Sequence, residues 1–95
     1  MGALWIGHID VHDEEKYGEY IKVASVVIPE HGGTFIARGG KFVQFEGTPR
    51  KRNVVARFPS VEAAEAAYND PRYQEAVKLA KAASTRELMV IETTD

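Results

Sequence analysis

His8 and Asp10 stand two residues apart in the apolar run Leu4 to Val11. If that run is a strand, both side chains leave the same face. A carboxylate beside an imidazole orients the ring and raises its basicity, which is the arrangement general acid–base chemistry uses. The same spacing also fits a strand that ends in water at Asp10 with His8 packed at its rim. His31 precedes Gly32-Gly33, glycines that let the backbone pass close to a ligand or another strand. A cationic side chain there equally suits a helix C-terminus. Arg38 precedes Gly39-Gly40. A guanidinium at a strand end can grip a carboxylate or enolate through two parallel hydrogen bonds, or it can pair across a hairpin with Glu46. His31, Arg38, His8 and Asp10 are therefore the candidates for catalysis.

A second set could line a binding pocket. Tyr17, Tyr20, Tyr68 and Tyr73 fall on helical stripes. Tyrosines at such spacing are core residues with a hydrogen-bonded tip, and Tyr17, Tyr20 and Tyr68 could turn a hydroxyl toward a ligand. Arg57 sits among Val55, Ala56 and Phe58, where half-burial requires an acid, a dimer mate or an anionic ligand. Trp5 faces away from His8 and suits a dimer interface as well as a core. His12 belongs to a charged loop. The three histidines have no metal-ligand spacing, and without cysteine the chain has no thiolate site and no disulfide. No metal or cofactor is expected. The run Arg50-Lys51-Arg52 has no accompanying RNA-binding aromatics, so it reads as a solvated loop.

Several elements must hold these groups. Leu4–Val11 alternates as a strand. Asp13 caps a helix with Glu14 and Glu15 in its first turn, and Tyr17, Tyr20, Ile21, Ala24, Val27 and Ile28 form its apolar stripe. Pro29 kinks or ends that helix, and Gly32-Gly33 stops it. Thr34–Arg38 reads as a strand, Gly39-Gly40 as a two-residue turn, and Lys41–Glu46 as the returning hairpin strand. Asn53–Phe58 is another strand. Ser60 caps a helix bearing Ala64, Ala67 and Tyr68. Asp70-Pro71 starts a further helix carrying Tyr73, Val77 and Ala80. Glu87–Thr93 closes the chain as a strand, with Leu88 and Val90 opposite Met89 and Ile91.

This order predicts an α+β fold: a ferredoxin-like β-α-β-β-α-β sandwich with an extra hairpin strand, an antiparallel sheet and its helices on one face. The uncovered sheet face must be buried somewhere, and a second copy is the simplest cover. Ninety-five residues make a single domain, residues 1–95, with a thin core. A net charge of −2 gives no general attraction to nucleic acid or anionic lipid. No run approaches the roughly 20 apolar residues that cross a bilayer, and the first residues do not resemble a signal peptide. A cytoplasmic homodimer that engages neither nucleic acid nor membrane is the expectation.

His31-Gly32-Gly33, Arg38-Gly39-Gly40, Glu46-Gly47, Phe58-Pro59-Ser60 and Tyr68-Asn69-Asp70-Pro71-Arg72-Tyr73 occur in this order along the chain. In that order and spacing the chain resembles proteins of the domain-of-unknown-function 1330 family, within the dimeric α/β-barrel superfamily. It departs from them at Asn69, where many carry serine, and at Lys81-Ala82-Ala83, where arginine is common. The resemblance implies two ferredoxin-like sheets packed face to face, with a small pocket between sheet and helices in each subunit. Relatives in the superfamily include cofactor-free monooxygenases, isomerases and haem-degrading enzymes. The expected function is small-molecule binding, or cofactor-independent acid–base chemistry on a small carbonyl, carboxylate or aromatic compound. The alternative is a non-catalytic dimeric structural or sensing module.

Overall fold

A computed structural model describes residues 1–95. Its elements run β1 (Ala3–Val11), α1 (Glu14–Glu30), β2 (Thr34–Arg38), β3 (Arg52–Phe58), α2 (Val61–Asn69), α3 (Pro71–Ala83) and β4 (Ser84–Glu92). The four strands form one antiparallel sheet in the order β2-β3-β1-β4. That is the ferredoxin-like arrangement, with the helices on one face.

Alternation decides which residues face the helices. Ala3, Trp5, Gly7 and Ile9 of β1 are buried beneath them, while Leu4, Ile6, His8 and Asp10 point to the open face. On β3 and β4 the helix side takes Val54, Ala56 and Phe58, and Leu88 and Val90. The core is a single cluster, with Trp5 stacked near Phe58, Tyr68 and Tyr73 at centroid distances of 5.7, 6.1 and 5.5 Å. Trp5 is thus a core residue and takes no part in the open face. Met89 and Ile91 lie about half exposed on that open face.

The caps act as the sequence requires. Asp13 accepts from Lys16 N, Ser60 from Ala63 N and Asp70 from Arg72 N. Helix α1 runs through Pro29 and stops where Gly32 takes φ +88°. Gly33 then passes so near the core that an added Cβ would lie 2.6 Å from Ile28 and 2.7 Å from Phe58.

One expected element is absent. Lys41–Glu46 is not a strand, and β2 pairs instead with β3 across the segment Gly39–Lys51. Gly39 has the left-handed φ (+74°) of a turn, but its N–H bonds the carbonyl of Asn53, 2.9 Å away, not a partner in the next few residues. The sheet therefore has four strands where the sequence reading gives five.

Asp70 ties the helical layer together. Its carboxylate contacts the Arg72 guanidinium at 2.9 Å and His31 Nε2 at 3.0 Å, and Arg72 also reaches Glu30. Arg72 first, then His31, hold the Asp70 carboxyl well below the ordinary 3.8. A lowered folded-state value means stability that is present above the unfolded value and lost as pH falls through the folded one. The melting-temperature gap between wild type and Asp70→Asn should be full above about pH 5 and narrow steadily below it. A gap that stays constant down to acid pH in a denaturation series refutes this assignment.

Candidate functional site

The helix layer and the sheet enclose a cavity of about 30 Å³, lined on the sheet by Trp5, Gly7, Ile9, Val54 and Leu88 and on α1 by Tyr17, Tyr20, Ile21, Ala24 and Ile28. Gly7 forms its floor. Its neighbours on β3 and β4 are Val54 and Leu88, and the missing side chain leaves room above the strand. Glycine inside a strand often marks such a close approach.

Into this apolar space project Arg38, Arg52 and Arg86. Arg52 and Arg86 both pair with Ile9, one from each side. They therefore share one row of the sheet with Cα atoms about 10 Å apart, two strand spacings. Arg38 reaches the same side because of a register shift between Phe35 and Ala37. Residues three apart on a regular strand face opposite ways, and the extra residue, Ile36, restores them to one face. The Arg38 guanidinium then lies 4.0 Å above the Phe35 ring and donates to Ser25 Oγ of α1 at 2.7 Å.

Arg86 is the deepest of these. Its Nη2 donates to Tyr73 Oη at 3.1 Å, its guanidinium lies 4.7 Å from the Tyr20 ring, and Tyr20 and Tyr73 share a hydroxyl hydrogen bond of 2.7 Å. Burial pushes the Tyr73 and Tyr17 hydroxyls up, reinforced in each case by Tyr20, so both stay protonated. Burial alone would weaken the hold of Arg86 on its proton, but the oxygens of Tyr20 and Tyr73 more than reverse it. The guanidinium stays charged. Arg86 Nη1 and Arg52 Nε are buried without any partner, and the cavity lining includes no aspartate or glutamate. Unpaired cationic nitrogens in an apolar wall are costly unless an anion joins them.

The sequence candidates divide accordingly. Tyr17, Tyr20 and Arg38 line the cavity. Tyr68 packs on Trp5 and Tyr73 in the core and borders outer grooves. His8 and Asp10 lie on the opposite face and do not pair. His8 Nδ1 donates to Asn53 Oδ1 at 2.6 Å, whereas Asp10 accepts from Arg50 and from Lys51 N, each at 2.9 Å. Arg57 also faces away, 3.7 Å from Asp95. His31 sits at the end of α1 on Asp70, away from the cavity lining. Glu46 is not the partner of Arg38. Nor is the basic run a uniform solvated loop: Arg50 bridges Asp10 and Glu87, Lys51 is exposed, and Arg52 enters the cavity.

Arg52 and Arg86 are not among the sequence candidates for the site, whereas Tyr73 is the core tyrosine with a hydrogen-bonded tip that its helical spacing predicts. Continuing the alternation Leu88–Val90 back by one step puts Arg86 on the helix side. The same step from Val54, Ala56 and Phe58 places Arg52 there. The sequence expectation starts these strands at Asn53 and Glu87, one residue too late in each case to include these arginines.

No helix is long and apolar enough to cross a membrane. No curated protein matches the chain by sequence. Among solved structures, it is similar to a protein of unknown function from Rhodopseudomonas palustris, with 21% identity over 99% of this chain and 83% of that one, at a TM-score of 0.81. A dimeric ferredoxin-like protein of unknown function from Jannaschia sp. aligns at 14% identity over 98% and 100% of the two chains, at a TM-score of 0.78. SnoaB, a cofactor-independent oxygenase from Streptomyces nogalater, aligns at 13% identity over 99% and 94%, at a TM-score of 0.69. At these identities the likeness establishes the ferredoxin-like fold. The model of the domain of unknown function DUF1330 matches residues 2–94, nearly the whole chain, and the protein therefore belongs to that family.

Proposed function

We propose that this protein is a homodimer that binds a small organic anion between helix α1 and the sheet, and that acts without a cofactor on a carboxylate or enolisable carbonyl compound held there. The observation that carries the reading is that Arg52 and Arg86 enter the cavity with buried, unpaired nitrogens while no acidic residue lines it. The enclosed volume of about 30 Å³ suits an oxyanion head, since a single water needs on the order of 10–15 Å³. The body of a larger ligand lies toward the mouth, where Arg38 is exposed.

The chemistry such a site favours is donation. Tyr20, Tyr73 and Arg86 form a chain of donors ready for negative charge on a ligand oxygen, and burial holds the Tyr73 phenol protonated. Stabilising an enolate or oxyanion by preformed donors is electrostatic catalysis. The solved neighbour that is a cofactor-independent oxygenase supports this reaction class. Neighbours described as dimeric, and the half-exposed Met89 and Ile91 on the open face, support pairing of two copies through that face.

A ligand that binds only the folded state stabilises it by about 2.7 kcal/mol at a hundredfold excess over Kd. Formate, acetate, pyruvate and benzoate, set against their neutral amides, supply the test by thermal shift. At least one carboxylate should raise the melting temperature by several degrees while its amide does not. If every acid and amide leaves the transition unmoved, the anion-site reading is wrong.

A further inference from the structure

Between Gly40 and Pro49 the chain leaves the body of the molecule. No backbone hydrogen bond joins these residues to any other part, and the only internal tie is Gln44 Nε2 to the carbonyl of Glu46. Yet Phe42-Val43-Gln44-Phe45 has the composition of a strand, and its apolar side chains are displayed: Val43 is 66% exposed and Phe45 90%. The roots of this arm are fixed. Gly39 N–H bonds Asn53, while Arg50 and the Lys51 N–H bond Asp10. A strand-like segment with unpaired N–H and C=O groups needs an edge to pair with.

The sheet offers a matching one. Strand β4 is an edge strand, hydrogen-bonded only to β1. Along its outer side runs an apolar groove of about 230 Å³, bounded by Ala64, Glu65 and Tyr68 of α2 and by Leu88, Met89 and Val90. An apolar space of about 150 Å³ accepts a benzene ring, so the groove has room for a phenylalanine side chain. Its inner wall includes Trp5 and Leu88, which also line the arginine cavity.

We infer that the arm of one copy pairs with the outer edge of β4 in a second copy and seats Phe45 in the groove between α2 and β4. This rests on the dimer reading above and extends it. The occupant is a second copy because the arm leaves between β2 and β3, at the opposite side of the sheet from β4. The molecule is also a plate only 17 Å thick whose open face awaits a partner. Adding a strand to an exposed edge supplies main-chain hydrogen bonds, and a pocket for an alternate side chain supplies register. Seated so, the partner's Phe45 backs Trp5 and Leu88, and each copy completes the wall of the other's cavity.

The absence of cysteine makes the test clean. A chain carrying Phe45→Cys and Glu65→Cys is oxidised and run without reductant, alongside a mixture of the two single variants. The expected product in both samples is a covalent dimer. A cross-link formed within one chain, or no cross-link while light scattering still reports a dimer, overturns the arm assignment. A monomer at micromolar concentration overturns the dimer reading itself. Phe42→Ser/Phe45→Ser is the second arm, with residues that make no core contact, so the fold should survive by circular dichroism. Its dimer dissociation constant should rise at least tenfold, and an unchanged constant counts against the proposal.

Discussion

Replacing Arg86 by methionine should raise the melting temperature and erase the response to carboxylates. The two effects have one cause. In the free protein the guanidinium is kept charged against an apolar wall with Nη1 unpaired. Exchanging buried charge for a well-packed apolar side chain of similar volume is neutral or stabilising by about 1–4 kcal/mol. For a domain of this size each kcal/mol moves the transition by about 4–8 °C. Methionine fills the same channel beside Leu88, and Tyr73 keeps its hydrogen bond to Tyr20. A structural arginine behaves in the opposite way, because removing it strips the core of a needed partner. Calorimetry of wild type and Arg86→Met, with and without the best carboxylate, separates the two cases. A variant that melts earlier, or that still responds to the anion, removes Arg86 from the site.

The second large effect concerns Trp5, which should cost about 3–5 kcal/mol of stability when cut to alanine. The side chain is 3% exposed and meets Phe58, Tyr68 and Tyr73 at once, the last edge-on at 84°. Its loss removes contacts on three elements and leaves a void next to the arginine cavity. In urea the midpoint should fall sharply with little change in slope. Ile6→Ala, one residue along and on the open face, should be far milder in the folded subunit and act mainly on association. Equal effects from the two substitutions contradict the facing described here.

These contrasts show what the sequence made readable. Alternation in Leu4–Val11 gave the facing of β1, and Asp13, Ser60 and Asp70-Pro71 marked helix starts that the structure keeps. Local signals of this kind act within a few residues, so they survive folding. The arm misled because Gly39-Gly40 followed by alternating apolar residues is the local signature of a hairpin, and only pairing with distant Asn53–Arg57 decides otherwise. Chemistry was harder still. His8 and Asp10 are near in sequence and on one face, yet each finds a better partner across the sheet, in Asn53 and Arg50. The cavity arginines come from β2, β3 and β4 and meet only through strand register.

The register shift at Ile36 carries a consequence for how this family can change. Side-chain direction along a strand depends on whether a count is odd or even, so one residue more or less reverses everything beyond it. Deleting Ile36 would make β2 regular and leave Arg38, then two residues from Phe35 and still opposite Val54, on the cavity side. The bulge absorbs that loss, whereas losing one more residue between Phe35 and Arg38 would turn the guanidinium out to the opposite surface. Substitution tunes this site by degrees, a single-codon deletion at the bulge spares its facing, and only a second deletion there relocates it.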